Sequence, residues 1–350
     1  MQRVVLRLCF FGAAFFGSAI VLAQEGPSGN SAERADVAAF IEEMSATHGF
    51  NAHSLRGLFR KVRYQPEVIA AISRPVVAPQ QWFEYAPQFL SPARIEGGLQ
   101  FWDANAKALA RAERDYDVAP EIIVAIIGVE SFYGKRKGNY RVIDALTTLA
   151  FDYPRRATFF RGELEQFLLL TRERKLSPLA PKGSYAGAMG MPQFMPGSFR
   201  AYAIDYDGNK RIDLDASPAD AIGSVAHYLH RHGWQPNEAL LAPAIIDAEA
   251  KERVSATLER GLSARRSLAE WAADGVEPFQ LADPPADDKP GLLLLEEEGG
   301  PTYWLAFRDW FVVTRYNTSR LYASAVYALA NALRERHSAR TAPAQSPIPH

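Results

Sequence analysis

The stretch from Val118 to Ser131 (VAPEIIVAIIGVES) constrains the fold of this 350-residue chain more than any other. Its apolar residues occupy nearly every side of a helix, and such a helix belongs inside a hydrophobic core rather than on a surface. Pro120 suits the first helical turn, and Gly134 suits a position just past the end. The sequence therefore predicts a buried central helix around which other helices pack.

One acidic side chain, Glu130, stands at the end of this apolar helix. Apolar surroundings disfavour the ionised carboxylate, so they raise its pKa and let the acid donate a proton to a glycosidic oxygen near neutral pH. A rise of about two pKa units requires about 2.7 kcal/mol of differential stabilisation, which one partly closed apolar pocket supplies. The alternative is a helix-end glutamate that faces solvent or pairs with Lys135 or Arg136.

Residues 183–199 (GSYAGAMGMPQFMPGSF) form a second unusual segment, rich in glycine and proline. This composition rules out one long helix and permits close approach of the backbone to a ligand. Gln193 offers both a hydrogen-bond donor and an acceptor, and Phe194 and Phe199 offer flat apolar faces. Sugar rings are bound by such a mixture, but a purely structural loop has the same composition.

The stretch DYDGNKRID, residues 205–213, resembles an EF-hand calcium loop. Its alternating oxygen-bearing residues suit Ca²⁺, which takes many oxygen ligands. Two positions depart from the loop pattern: Lys210 replaces a glycine, and Ala216 stands where a bidentate glutamate is expected. The candidate ligands within the loop are the side chains of Asp205, Asp207 and Asn209 and the backbone carbonyl of Arg211.

Four motifs occur in the order found in the lytic murein transglycosylase B family, and the chain resembles that family over residues 35–335. These motifs are IIGVESFYGK (126–135), GSYAGAMGMPQFMPGSF (183–199), DAIGSVAHYLHRHGW (220–234) and RYNTSRLYA (315–323). Four motifs in register are far more specific than any one of them alone.

The resemblance implies a lysozyme-like catalytic core in which Glu130 is the single catalytic acid and base. It also implies a groove for the glycan strand and its stem peptides. The positions that fall on that groove are Tyr85, Ser184, Gln193, Tyr228, Tyr316, Asn317 and Tyr322. The family's calcium loop is closed by a later aspartate, which matches Asp220, although the residues alone also fit a helix capping box of Ser217 and Asp220.

Helical spacing of apolar residues accounts for most of the remaining chain. It predicts helices at 35–50, 95–116, 142–150, 155–173, 217–232 and 321–334. After residue 240, three runs rich in β-branched and aromatic residues are predicted as strands of a small sheet. These runs are LLLLEEE (292–298), TYWLAF (302–307) and WFVVTRY (310–316).

We therefore expect an α+β fold, mainly α, with a lysozyme-like core, an additional helical region and a small β-sheet subdomain. The predicted divisions are 1–23, a signal peptide; 24–34, a flexible leader; 35–107, an N-terminal helical region; 108–240, the catalytic core with the EF-hand-like loop; 241–338, the β-sheet segment and returning C-terminal helix; and 339–350, a disordered tail.

The first 23 residues have the pattern of a secretory signal peptide. Arg3 and Arg7 precede an apolar run from Leu8 to Leu22, and small residues follow. A transmembrane anchor is the alternative, but the run is shorter than the roughly 20 residues that span a bilayer. The only cysteine, Cys9, lies too early for a lipid anchor. We expect a soluble periplasmic protein with no membrane anchor in the mature chain.

Composition and missing motifs exclude other classes of protein. With 39 basic and 40 acidic residues, the chain lacks the basic surplus of nucleic-acid binders. A zinc site at His227, His230 and His232 is disfavoured because no metalloprotease glutamate accompanies them.

We therefore expect the protein to be a lytic transglycosylase. Its expected partner is the peptidoglycan glycan strand, and its expected structural cofactor is Ca²⁺. It would cleave the β-1,4 bond between N-acetylmuramic acid and N-acetylglucosamine and form 1,6-anhydromuramoyl ends without water. No second acid stands out in the motifs, but Asp144 or Asp152 remains open as one. The alternatives are a hydrolytic muramidase with the same core and a non-catalytic, calcium-stabilised peptidoglycan-binding protein.

Overall fold

The computed structural model describes residues 31–74, 80–236, 239–259, 262, 264–281 and 288–341. Helices form the first third of this described chain. They are α1 (Ala35–His48), α2 (Ala52–Phe59), α3 (Pro66–Ile72), α4 (Trp82–Tyr85), α5 (Pro92–Ala104) and α6 (Ala106–Tyr116). The prediction of a single helix over 95–116 is wrong in one respect, because the helix is interrupted at Asn105, between α5 and α6.

Residues 31–34, the end of the predicted flexible leader, are held in defined structure. Ser31–Glu33 form a 3-10 turn, and Arg34 pairs with Asp152 at 2.6 Å and with Asp36 at 2.7 Å. Two carboxylates on one guanidinium tie this end of the chain to the folded part. The predicted signal peptide and the rest of the leader lie outside the described residues.

Five helices and a two-stranded ribbon make up the next part of the chain. They are α7 (Pro120–Ser131), β1 (Tyr140–Arg141), α8 (Val142–Asp152), α9 (Ala157–Glu173), β2 (Lys182–Gly183), α10 (Pro196–Tyr202) and α11 (Pro218–Arg231). Helix α7 is buried without interruption from Ile122 to Gly128, which confirms the predicted central helix. The antiparallel ribbon pairs Tyr140 with Gly183.

The C-terminal part contains a four-stranded antiparallel sheet in the order β4-β3-β6-β5. Its elements are β3 (Leu241–Ile246), α12 (Ala248–Glu259), α13 (Leu268–Ala273), β4 (Val276–Pro278), β5 (Gly291–Glu297), β6 (Gly300–Ala306), α14 (Arg308–Tyr316) and α15 (Arg320–Thr341). Strands β5 and β6 confirm two of the predicted strands. Helix α15 runs to Thr341, so residues 339–341 of the predicted disordered tail are helical, and residues 342–350 lie outside the described chain.

The strand predicted at 310–316 is wrong, because this run forms most of helix α14. Trp310, Val313 and Tyr316 are buried at a spacing of three, which places them on one helical face. Strand alternation would instead have sent Val313 to the side opposite Trp310. The composition of the run favoured a strand, but its periodicity favoured the helix.

Helix α7 lies in the larger hydrophobic core, where α5, α6, α11 and α15 pack around it. Gly128 leaves room for the side chain of Tyr133, which follows α7, since a Cβ at position 128 would lie 2.6 Å from Tyr133 Oη. A Cβ on Gly98 of α5 would lie 2.4 Å from the same oxygen, so two helices close on one aromatic side chain. Helix α15 returns to this core and brings Tyr322 to the end of α7.

Segment 183–199 lies between two cores. Its Ala186 and Ala188 belong to the core that joins α1–α3 to α8 and α9, whereas Met191 and Phe194 belong to the core around α7. The segment therefore connects the N-terminal helices with the α7 bundle. Among the described residues, no helix is both long and apolar enough to cross a membrane.

Candidate active site

The Glu130 side chain stands at the C-terminal end of α7 and lines a narrow cavity of about 40 Å³. The other lining residues are Arg156, Phe159, Phe160, Ala186, Ala188, Gln193, Met195, Tyr316 and Asn317. Burial disfavours the ionised form and raises the pKa of Glu130 to about 7, although a hydrogen bond from Tyr322 opposes this effect. The carboxyl group therefore retains its proton on a large fraction of molecules at neutral pH.

Tyr322 is the hydrogen-bond partner that fixes the Glu130 carboxyl. Its hydroxyl donates to Glu130 Oε1 at 2.6 Å, and its ring lies parallel to that of Tyr316 with centroids 6.5 Å apart. Burial first, and then the neighbouring Glu130, raises the pKa of both tyrosines, so both remain neutral. Within the described chain Glu130 forms no ion pair with Lys135, Arg136 or another cation, and burial dominates its pKa, so the paired alternative does not describe this side chain.

The backbone after Glu130 adopts an unusual conformation. Phe132, Tyr133 and Gly134 have φ values of 52°, 58° and 83°, and this left-handed region costs about 1–2 kcal/mol for a non-glycine residue. Ser131 holds the turn, because its Oγ donates to the Met191 carbonyl at 2.7 Å and accepts from the Gly134 N–H at 2.9 Å. The end of α7 is therefore bonded directly to segment 183–199.

Gln193 reaches the same cavity from segment 183–199. Its φ is 49°, and its Nε2 donates to the carbonyls of Gly190 at 2.8 Å and Lys137 at 3.2 Å. Two backbone hydrogen bonds between Met189 and Phe194, of 2.8 and 3.0 Å, close the loop around it. Since the described chain provides no donor for its Oε1, that oxygen is the acceptor this side chain can offer to a ligand.

Two tyrosines present ring faces rather than hydroxyl groups. Tyr228 donates its hydroxyl to the Arg315 carbonyl at 2.7 Å, and Tyr316 donates to the Pro192 carbonyl at 2.5 Å. Both rings line a second small cavity, which shares Tyr316 and Gln193 with the Glu130 cavity. The predicted groove residues Gln193, Tyr228, Tyr316 and Asn317 thus lie together.

Two other predicted groove residues lie deeper. Ser184 is buried, and its Oγ accepts the N–H groups of Ala186 at 3.2 Å and Ala188 at 3.0 Å, which stabilises the turn. Tyr85 is also buried, and its ring lies 4.9 Å from that of Phe89. Burial raises the pKa of Tyr85, and the nearby Glu130 carboxyl adds to the rise. Neither side chain lines the Glu130 cavity.

Sequence reasoning missed Arg156 and Glu163. Arg156 lines the Glu130 cavity with its guanidinium 4.3 Å from the centre of the Phe159 ring. Glu163 lines the adjoining cavity, accepts the Gly197 N–H at 2.8 Å, and has a pKa that burial raises. The available signal was helical spacing, since Phe159 and Glu163 stand one turn apart on α9.

The aspartates left open as second acids lie elsewhere. Asp144 is buried and forms hydrogen bonds with Arg141 at 2.7 and 2.9 Å, and Asp152 pairs with Arg34 at 2.6 Å. Neither lines the Glu130 cavity or the adjoining one.

The predicted calcium loop brings three carboxylates together. One oxygen from each of Asp205, Asp207 and Asp220 lies within 4.8 Å of the others, and Asp220 is fully buried. Ser217 Oγ also accepts the Asp220 N–H at 3.2 Å, so helix capping and the carboxylate cluster occur together. Asn209 Oδ1 accepts the Arg211 N–H at 2.8 Å within the loop.

A carboxyl group with a raised pKa in a narrow, aromatic-lined cavity is typical of enzymes that cleave glycosidic bonds. Comparison with known proteins narrows this class. The family described as "Transglycosylase SLT domain" matches residues 32–331. Membrane-bound lytic murein transglycosylase B of Escherichia coli K12 is 38% identical over 314 residues, which cover 87% of this chain and 84% of that protein.

Solved structures agree with the sequence match. Soluble lytic transglycosylase SltB1 from Pseudomonas aeruginosa superposes with a TM-score of 0.81 at 48% identity, covering 88% of this chain and all of that one. Escherichia coli lytic transglycosylase Slt35 in complex with calcium gives 0.78 at 37% identity, covering 88% and 96%. The chain therefore belongs to the lytic murein transglycosylase family, and the predicted fold class with its lysozyme-like core is confirmed.

Proposed function

We propose that this enzyme cleaves the β-1,4 bond between N-acetylmuramic acid and N-acetylglucosamine in peptidoglycan, with Glu130 as the acid and then the base. The observation that carries the proposal is a single carboxyl group with a pKa raised to about 7, aligned by Tyr322 at 2.6 Å. A general acid works best when its pKa lies near the working pH. The relatives, which are named as lytic murein transglycosylases, support peptidoglycan as the substrate.

The proposed reaction balances without water. The Glu130 proton passes to the glycosidic oxygen as the bond from that oxygen to C1 of the muramoyl residue breaks. The substrate's own N-acetyl group stabilises the positive charge at C1. The muramoyl C6 oxygen then bonds to C1 while its hydroxyl proton returns to Glu130. The products are a 1,6-anhydromuramoyl end and a free N-acetylglucosamine hydroxyl.

The residues around the cavity would bind the glycan strand and its peptides. Gln193 Oε1 and the Asn317 side chain are placed to bond hydroxyl or acetamido groups, while Tyr228 and Tyr316 offer ring faces. Ser184 and Tyr85 act in this proposal from behind the lining residues, because both are buried and neither lines the Glu130 cavity.

We also propose that the loop after α10 binds a structural Ca²⁺. The three clustered carboxylates are hard oxygen donors, which calcium prefers, and a relative carries calcium in its crystal structure. The proposed ligands are Asp205, Asp207, Asn209, Asp220 and the backbone carbonyl of Arg211. The ion would neutralise the loop and hold it against α11, with no part in bond cleavage.

The substrate places this enzyme outside the cytoplasmic membrane, where peptidoglycan lies. We propose that residues 1–23 direct export to the periplasm and are removed, which agrees with their basic start and short apolar run.

A hydrolytic muramidase is the second candidate, and Glu163 is the observation in its favour. Hydrolysis usually requires a second carboxyl group to activate water or act as nucleophile, and Glu163 lines the adjoining cavity. Against this role, the Glu163 carboxyl already accepts the Gly197 N–H.

Digestion of purified sacculi in heavy-oxygen water separates the two candidates. Intramolecular closure gives products lighter by one water with no label, whereas hydrolysis gives labelled reducing ends. Mass spectrometry of the released fragments distinguishes the two products, and the Glu130→Gln protein is the control for background cleavage. Labelled reducing ends as the main product would contradict the transglycosylase proposal.

A further inference from the structure

A cavity of about 550 Å³ lies between the C-terminal end of α9, strand β2 and the loop 210–215. Its size falls in the range of about 300–1,000 Å³ typical of ligand clefts. It shares no lining residue with the Glu130 cavity or with the adjoining one. The cavity is therefore a separate site, which we call the cationic groove because of its rim.

Five basic side chains line the cationic groove. They are Arg174, Lys175, Lys182, Lys210 and Arg211. Within the described chain, none of the five has a carboxylate within 4.0 Å, and four of them are exposed while Arg174 is half-buried. The chain as a whole has a formal charge of −1, so this concentration of positive charge is local.

The acidic residues of the groove are already engaged. Glu173 pairs with Arg200 at 2.6 Å, and Asp215 pairs with Lys137 at 2.9 Å. Asp213 Oδ1 accepts the N–H groups of Asp215 at 3.0 Å and Ala216 at 2.8 Å. Two of the three acids are thus paired with cations from outside the groove, and the five basic side chains outnumber the acids, so the groove attracts anions.

The floor of the cationic groove is apolar. Leu170, Met189, Phe199, Ile212 and Leu214 contribute to it. A ligand that fits must therefore carry anionic groups separated by short apolar parts. A free inorganic anion would use the rim and leave the floor unused.

We propose that the cationic groove binds the acidic stem peptides of peptidoglycan, apart from the site of cleavage; this rests on the proposed function for its choice of substrate. The N-acetylated sugars of the strand are neutral, and the lactyl carboxyl of muramic acid is consumed in the peptide bond. The anionic charge of the polymer therefore resides on its peptides, as the glutamyl and terminal carboxylates with aliphatic side chains between them.

The position of the groove couples it to the glycan site. Met189 and Gly190 line the cationic groove, while Ala186, Ala188 and Gln193 of the same segment line the Glu130 cavity. The Gly190 carbonyl accepts the Gln193 Nε2–H at 2.8 Å, so the two sites share one rigid loop. Peptides held in the groove would thus keep the enzyme on the cell-wall network between cuts.

The test uses full-length protein with Lys175→Glu/Lys182→Glu, two exposed groove positions outside the catalytic site and the calcium ligands. The matched control is Lys61→Glu/Lys107→Glu, which reverses two exposed charges elsewhere. The probe is the peptide N-acetyl-L-Ala-γ-D-Glu-L-Lys-D-Ala, which carries two carboxylates and one ammonium group, titrated by NMR in low salt. The same peptide amidated at its carboxylates is the ligand control. We expect groove signals to shift with the free peptide and Kd to rise at least about fivefold in the groove variant only.

Cleavage gives an independent readout. On peptide-bearing sacculi the groove variant should lose at least about fivefold in kcat/KM, while glycan strands stripped by an amidase are cut at the wild-type rate. Equal binding by wild type and groove variant, or equal binding of the amidated peptide, would overturn the inference. If the wild type binds the peptide but cuts no glycan, the proposed function fails and the groove assignment stands.

Discussion

Glu130 and Asp220 both carry carboxyl groups that the protein surrounds, but the two groups accept different numbers of hydrogen bonds. Glu130 receives one hydrogen bond, from Tyr322, and faces a cavity. Asp220 is fully buried and accepts three backbone N–H groups, from Tyr206 at 2.8 Å, Asp207 at 3.3 Å and Asp213 at 2.8 Å. The number of donors, rather than burial itself, separates the two carboxyl groups.

This difference explains why the Glu130 carboxyl is suited to proton transfer and the Asp220 carboxyl to a structural role. Backbone donors replace the water that a buried carboxylate loses, so Asp220 holds the loop and is a ligand in the proposed calcium site. Glu130 lacks this compensation, and burial therefore favours its neutral form, which is the proton donor that glycoside cleavage needs. The predictions below test this comparison, beginning with the largest expected effect.

Glu130→Gln should abolish glycan cleavage. The amide keeps the size and the hydrogen-bonding capacity of the side chain but has no proton to transfer, so the loss should exceed the 10²–10⁴-fold typical of general acid–base catalysis. Release of soluble fragments from sacculi measures it, and binding of the variant to sacculi is the control for an intact groove. Activity within about tenfold of wild type would place the acid on another residue.

The same substitution should stabilise the fold at neutral pH. Below about pH 4.5 the Glu130 carboxyl is protonated in both the folded and unfolded states and costs nothing. As pH rises towards 7, the unfolded chain ionises while the folded one retains its proton, so the wild type loses up to about 3 kcal/mol of unfolding free energy. The Glu130→Gln variant does not lose this free energy, because glutamine does not ionise.

Denaturant unfolding at pH 4 and pH 7.5 checks this prediction. We expect the variant to exceed the wild type at pH 7.5, with the excess reduced because the cavity admits some solvent, and to match it at pH 4. An equal difference at both pH values would show that the effect comes from packing rather than from the proton.

These two predictions rest on a residue that the sequence already singled out, and the reason is physical. The apolar pattern around α7 required burial, and Glu130 was the one acid at its end. In contrast, Glu163 belongs to an amphipathic helix with several other glutamates, and only the packing of α9 against α10 brings it to the cavity. The one-turn spacing of Phe159 and Glu163 does not by itself show which face of α9 meets the cavity.

The C-terminal part shows the same limit for the fold. Strands β5 and β6 follow each other closely and were predicted, while β3 and β4 join the sheet through pairings that cross long stretches of chain. The composition of 310–316 favoured a strand, although Trp310, Val313 and Tyr316 are buried at a spacing of three. Local periodicity was the better guide where it disagreed with composition.

Removal of calcium should lower stability and leave the acid untouched. A ligand that binds only the native state contributes about 2.7 kcal/mol at a hundredfold excess over Kd, so chelation should lower Tm by several degrees. Asp205→Ala/Asp207→Ala should show no response to chelator, because two of the three clustered carboxylates are gone. Scanning calorimetry with and without chelator measures both.

Glu113→Ala/Glu335→Ala is the matched control, since it removes two exposed acids outside the loop and should retain the chelator response. The comparison uses the response to chelator rather than Tm itself, because Asp205 also accepts the Gly208 and Lys210 N–H groups and its loss destabilises the loop directly. A wild type with the same melting curve in both conditions would remove calcium from the loop.

Glu163→Gln should have the smallest effect, and it tests whether the chemistry needs one carboxyl or two. Glu163 shares with Glu130 a pKa raised by burial, but its Oε2 is occupied by the Gly197 N–H at the start of α10. A glutamine oxygen accepts the same hydrogen bond, so we expect cleavage within about tenfold of wild type, below the 10²–10⁴-fold range of a lost acid or base. A loss of that larger size, with the melting temperature unchanged and the product label in heavy-oxygen water lost as well, would make Glu163 the water-activating base of a hydrolase. Retained activity with unlabelled anhydro ends would mean that burial alone does not make a carboxyl catalytic: the group must also be free of backbone donors, as Glu130 is and as Glu163 and Asp220 are not.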